Sequence, residues 1–206
     1  MAKYIQGING IFVGKVGTVV GCVWKGIPYM RSKGKPRSSQ ATEIEVRNRS
    51  KFANAHAWLQ PLLVFLRAGF AGYSATTVGF NAAKSYNLKN AMIQGDVVPN
   101  LVKVSYGDLP LPETIQVALM ENKLQVNWST EYIPGSSDKD QLMLLAYHPE
   151  SRTALYEVHG AFRSMGTQLM DTYREFIGKT IHIYAAFVAA DRSKQSTSFY
   201  LGPLDC

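Results

Sequence analysis

The sequence is poor in the residues that most often declare a chemistry. It has two cysteines, Cys22 and Cys206, too few for a disulfide framework or a four-cysteine zinc site. Its four histidines, His56, His148, His159 and His182, have no H-x-x-x-H or C-x-x-C company, so no metal cluster can be read. No G-x-S-x-G elbow is present. Gly14-Lys15-Val16-Gly17-Thr18 is glycine-rich, but its lysine precedes the second glycine and no helix follows, so it is not a phosphate loop. No run of about 18 apolar residues exists to span a membrane. The longest candidate, from Leu59 to Phe70, is broken by Gln60, Pro61 and Arg67. The opening residues, Met1 to Gly7, have no continuous apolar core of a signal peptide. The expectation is a cytoplasmic chain with reduced thiols and no classical export signal, with release in a particle as a further route. Nothing points to a reaction, a cofactor or a small-molecule substrate, and the chain reads as a non-enzyme.

Acid is also scarce, but only in the first half. Residues 1–110 hold 14 Lys and Arg against 4 Asp and Glu, whereas residues 111–206 hold 8 against 11. A +10 segment joined to a −3 segment fits a polyanion contact or head-to-tail self-association. What is plentiful is apolar surface. With 206 residues, 46% hydrophobic and 18% charged, the chain can bury a core without staples and is not disordered.

Residues 1–36 carry glycine at 7, 10, 14, 17, 21, 26 and 34, with β-formers between them. This predicts two or three short strands, a turn at Gly14–Gly17, and an edge-type ribbon running on from Trp24 to Arg31, since Pro28 cannot donate to a central ladder. Such a ribbon cannot bury both faces alone. Trp24, Tyr29, Ile11, Phe12 and Val19 are its candidate assembly residues, Trp24 the foremost anchor. Cys22 beside Trp24 reads as a packed thiol. Basic residues Lys15, Lys25, Arg31, Lys33, Lys35, Arg37, Arg47, Arg49 and Lys51 interleave with Trp24 and Tyr29, a mixture suited to phosphate contacts and base stacking, or to docking on an acidic neighbour.

A helix is predicted from Ala41 to Leu59, a second from Pro61 to Ala68, and a third from Gly79 to Ile93 with Gly95 as its stop. Val97-Val98 and Leu101–Tyr106 read as strand, and Asp108–Pro112 as a linker. From residue 113 the pattern becomes seven short strands at regular spacing: Thr114–Met120, Lys123–Ser129, Gln141–His148, Ala154–His159, Gln168–Thr172, Thr180–Ala189 and Thr197–Leu201. Glu121-Asn122 reads as a two-residue hairpin turn, and Asp138-Lys139-Asp140 as a solvated acidic turn. Trp58 and Trp128 are expected in the core. The predicted fold is an α+β region over 1–110, glycine-rich ribbon plus helices, followed by an immunoglobulin- or fibronectin III-like sandwich over 111–206.

Gly14-Lys15-Val16-Gly17-x-Val19-Val20-Gly21-x-x-Trp24-Lys25-Gly26, then Arg49-Ser50-Lys51-Phe52-Ala53, Asn81-Ala82-Ala83-x-Ser85-Tyr86-Asn87 and Ser198-Phe199-Tyr200-Leu201-Gly202, resemble a domain-of-unknown-function family of Bacteroidota over nearly the whole chain. That resemblance implies no activity. The Trp-Lys-Gly ribbon followed by a proline step and a helix is also similar to short segments of phage virion and tail proteins. Those often begin the helix Asn-Pro-x-Thr-x-x-Gln, where this chain has Lys35-Pro36-Arg37-Ser38-Ser39-Gln40. The functional expectation is a structural protein that self-assembles into an oligomer, lattice or tubular particle, phage-like in kind. The alternative is a nucleic-acid-binding protein using residues 15–51.

Overall fold

The computed structural model describes residues 3–4, 10–36, 39–74, 77–120, 123–172 and 176–206. The Glu121-Asn122 turn and the basic residue Arg37 lie outside the described residues. The chain divides into two compact units, Met1–Thr42 and Glu43–Cys206. The sequence pattern places a boundary at residue 110 instead, because Pro110-Leu111-Pro112 has linker composition. The helices before it share one core with the strands after it, so the break in contacts lies upstream.

The first unit is a four-stranded antiparallel ribbon in sequential order: β1 (Lys3–Tyr4), β2 (Phe12–Val16), β3 (Val19–Trp24) and β4 (Ile27–Ser32). Gly14 to Val16 belongs to β2, and the β2–β3 turn is Gly17-Thr18. Only Gly17 of the pair has positive φ, +54°, as a Gly-X hairpin turn of the II′ kind requires. The predicted continuous ribbon from Trp24 to Arg31 is in fact a hairpin. It reverses at Lys25-Gly26, where both residues have positive φ, +50° and +80°, the pattern of a I′ turn. β4 is the edge strand that Pro28 demands.

The second unit has three layers. The central one is a four-stranded antiparallel sheet, in the order β10 (Thr153–Glu157), β9 (Gln141–His148), β12 (Thr180–Val188) and β13 (Phe199–Asp205). On one face lies a three-stranded sheet in the order β11 (Thr167–Asp171), β8 (Lys123–Trp128) and β7 (Ile115–Met120). These two form an open, sandwich-like pair whose shared core contains Leu124, Val126 and Trp128 against Leu142, Leu144, Ile183 and Phe187. All seven predicted strands of this region are present, Gln141–His148 with both ends unchanged and the others with ends shifted by at most four residues.

The other face of the central sheet is covered by α1 (Glu43–Leu59), α2 (Leu63–Gly69) and α3 (Gly79–Asn90). Leu59, Leu62, Phe65, Leu66 and Phe70 pack there with Met143, Leu145, Tyr147, Tyr184 and Ala186. Central strands buried on both sides cannot alternate apolar with polar. That is why β9 reads Leu142-Met143-Leu144-Leu145-Ala146-Tyr147, every residue buried. Polar tips are satisfied at the edges of this layer. Tyr147 donates its hydroxyl to the Trp58 carbonyl at 2.9 Å, and Tyr184 to the Pro99 carbonyl at 2.7 Å.

Three local expectations change. After α3 the chain forms a small hairpin, β5 (Met92–Ile93) and β6 (Asp96–Val97), turning at Gln94-Gly95 with both φ positive; Gly95 is a hairpin residue rather than a helix stop. Residues 102–106 are not a strand. Their backbone is held by side chains: Asn87 donates to the Lys103 carbonyl and accepts from the Lys103 N–H, while Ser198 Oγ accepts from the Val104 N–H. Gly69 faces this segment so closely that a Cβ would come within 2.2 Å of the Val104 carbonyl oxygen. Asp140, expected in a solvated turn, is 1% exposed. It accepts from the Ser137 N–H at 2.8 Å and stands 3.5 Å from the Nε of Arg163, which is itself buried. The Arg163 guanidinium lies 4.7 Å from the Phe187 ring, and its carbonyl accepts from the Trp128 indole N–H.

Candidate functional site

Register sorts the ribbon's side chains between two unlike faces, because residues directly opposite one another share a face and neighbours along a strand alternate. Val16 opposes Val19, Gly14 opposes Gly21, Gly21 opposes Met30, and Val23 opposes Pro28. Phe12 belongs with this set by alternation from Gly14. Among the described residues that face carries no charged side chain, and it exposes Val16, Val23 and Met30, the last at 70%. Glycine at 21 is a packing requirement. A Cβ there would come 2.2 Å from the Phe12 carbonyl oxygen and 2.7 Å from its ring. Phe12, Pro28 and Met30 then line, with Ile11 and Tyr29, a shallow apolar pocket of about 280 Å³.

The opposite face pairs Lys15 with Val20, Val20 with Arg31, Cys22 with Tyr29, and Trp24 with Ile27. Trp24 is 52% exposed and Tyr29 47%. Lys25 Nζ sits 5.0 Å from the Trp24 ring centroid, a cation–π contact. Lys33 follows Arg31 two residues on, its N–H donating to the Thr18 carbonyl at 2.7 Å.

The five predicted assembly residues are therefore divided. Phe12 and Val19, both half-buried, are on the uncharged face, Trp24 and Tyr29 are on the cationic one, and Ile11 lies just before β2. The basic set is divided too. Lys15, Lys25, Arg31, Lys33 and Lys35 belong to the ribbon unit, all exposed. Arg47, Arg49 and Lys51 belong to α1 of the other unit.

The unit boundary also resolves the charge asymmetry. Residues 1–42 hold seven Lys and Arg and no Asp or Glu, while residues 43–206 hold fifteen of each sign. The whole net charge of +7 is on the ribbon unit.

The second unit holds a wide open cleft of about 1000 Å³ that sequence reasoning did not anticipate. Asn54 and Trp58 of α1, Asp96, and Arg152, Lys179, His148 and His182 from the end of the central sheet line it. His182 Nδ1 hydrogen-bonds the Tyr200 hydroxyl at 2.8 Å. Burial, with a smaller contribution from nearby His148, holds its pKa below the usual histidine value. His148 Nδ1 accepts from the Ser151 N–H at 3.1 Å and lies 2.7 Å from the Ser151 hydroxyl. This serine–histidine pair is made within one turn, and Glu150, 3.8 Å from Nε2, is almost fully exposed. It closes the β9–β10 turn, with the Ser151 hydroxyl donating to Thr153 Oγ1 at 2.9 Å. Sequence spacing of His148 and Ser151 could have shown the turn, but not the cleft. Among the described residues no group of three His, Cys, Asp or Glu is placed to hold a metal ion, and no helix is long and apolar enough to cross a membrane.

No curated protein and no solved structure matches the sequence. A family model does match, over residues 11–202, which takes in most of the ribbon unit and nearly all of the second unit. The chain belongs to that family, DUF6266, a family of unknown function.

Proposed function

We propose that the protein is a non-enzymatic structural subunit that self-assembles through its N-terminal ribbon, the uncharged face of one copy packing on a second copy. One observation carries this reading. A four-stranded ribbon leaves Val16, Val23 and Met30 exposed on a face that carries no charge among the described residues. A single thin sheet whose apolar face stays in water gains little from it, and contiguous exposed apolar surface of this kind marks an interface. Because both copies present the same patch, a two-fold contact is the simplest closure, and a second contact elsewhere extends it to a lattice or tube of the virion or tail kind. The neutral balance of residues 43–206 leaves apolar contact, rather than ribbon charge on an acidic sandwich, as the driving interaction. The sandwich itself we assign to the immunoglobulin and fibronectin III-like architecture. Its support is seven antiparallel strands divided three and four, with Trp128 in the shared core. In this reading it is the body that the ribbon links.

Sedimentation velocity on the full chain tests the proposal. Wild type is expected to sediment as a multimer, and Val16→Glu with Met30→Glu as a monomer of 22.8 kDa. A multimer undisturbed by both changes would remove the uncharged face from the assembly.

A further inference from the structure

Beyond assembly, we infer that the cationic face of the ribbon is a binding surface for single-stranded nucleic acid. The register places Lys15 and Arg31 on either side of Val20, and Trp24 and Tyr29 on the same face as both. Trp24 opposes Ile27, so Tyr29 is its diagonal neighbour, about 7 Å away. Two half-exposed rings at that spacing each offer a flat surface to one base, and lysine and arginine flank them for the phosphates. Lys25 lies against the Trp24 ring, and exposed Lys33 follows Arg31 two residues on in the chain. Residues 1–42 contain no Asp or Glu, so the unit is cationic throughout. A single strand is the occupant that fits, because a duplex hides the base faces that exposed rings would stack on, while charge alone would explain cations without aromatic rings.

The assembly face and this face are opposite sides of one ribbon, so the two ideas fail separately. Assembly is read as native mass without nucleic acid. Nucleic-acid binding is read by fluorescence polarisation of the full-length protein with a labelled oligothymidylate of about 12 nucleotides, a length within one binding site of this class. The expected result is saturable binding whose log K falls with log salt at a slope of about −2 to −3, for three or four phosphate contacts. Trp24→Ala should weaken it about tenfold, with quenching of Trp24 fluorescence lost. Lys15→Gln with Arg31→Gln should weaken it and reduce the slope by about 1.4. Both changes are at exposed positions, and circular dichroism should confirm an unchanged fold. The inference is overturned if no binding occurs at low salt. It is also overturned if duplex or heparin binds as tightly as the single strand, or if Trp24→Ala binds as wild type does.

Discussion

The ribbon unit and the sandwich–helix unit solve opposite problems. Every buried hydrophobic side chain among the described residues lies between Ala55 and Val188. The second unit completes two cores and carries no net charge. The ribbon unit has no buried apolar side chain among its described residues, no acid, and +7 of charge. A region that buries its apolar residues internally is specified by packing. A region that exposes them on a patterned surface is specified by what will cover it. The difference teaches that residues 43–206 are held by their own cores, whereas the described residues of 1–42 leave their apolar side chains at or near the surface.

The comparison is broken most forcefully in the body. Leu145 is fully buried between helices and sheet. Leu145→Ala should cost about 3 kcal/mol in chemical denaturation, transfer and cavity together. Met30→Ala in the ribbon should change the same unfolding transition by less than about 0.5 kcal/mol. Equal effects would erase the distinction. Next comes the buried ion pair. Asp140→Ala leaves the Arg163 guanidinium without its carboxylate, and about 3 kcal/mol should be lost, as breaking such a pair costs. Asp140→Asn should recover part of it by still accepting from the Ser137 N–H.

Gly21→Val sharpens the comparison from the other side. Its Cβ collides with the Phe12 backbone, so the ribbon and the native mass should be disrupted while the thermal transition of the body stays in place. A parallel fall in both would mean that the ribbon is part of the body's folding unit.

The smallest effect is a pH dependence at the cleft. Burial lowers the His182 pKa in the folded state, so the unfolded chain takes up its proton first. Stability from this group is therefore full above the ordinary histidine value of about 6.5 and lost as pH falls through it toward the lower folded value. Tm followed from about pH 7.5 to about pH 5.5 should fall less in His182→Gln than in wild type. An identical slope would show that His182 is solvated.

Much of the body was legible because strands announce themselves locally. Alternation and turn chemistry located β7 to β13, and β12 is instructive. Ile181, Ile183, Ala185 and Phe187 face the second sheet, but Tyr184, Ala186 and Val188 are buried too. The alternation of two apolar sets already meant two covered faces, and the cover on the second face is the predicted helices. What composition could not show is that these helices belong to the sandwich. Pro110 and Pro112 look like a linker, yet contacts between residues far apart in sequence decide the unit. Val102 and Val104 imitate a strand because they point inward alternately, while Asn87 and Ser198 supply the hydrogen bonds a ladder would. In the ribbon, the sequence marks Trp24 and Tyr29 as candidate anchors, and both are half-exposed. Alternation along β3 already separates Trp24 from Val19, but the faces of Phe12 and Tyr29 were not legible. Phe12 joins the Val19 side through the turn at Gly17-Thr18, and Tyr29 joins Trp24 through the reversal at Lys25-Gly26, with a lysine in a left-handed conformation that propensity does not favour.

The central claim is that an uncharged apolar face joins copies of this chain. Light scattering of the full-length protein, in low and in high salt, tests it most directly. Apolar contact survives salt and charge pairing does not. The account predicts a defined mass that is a multiple of 22.8 kDa and is unchanged in high salt. A monomer in both conditions, or a multimer that dissolves as salt rises, would contradict it.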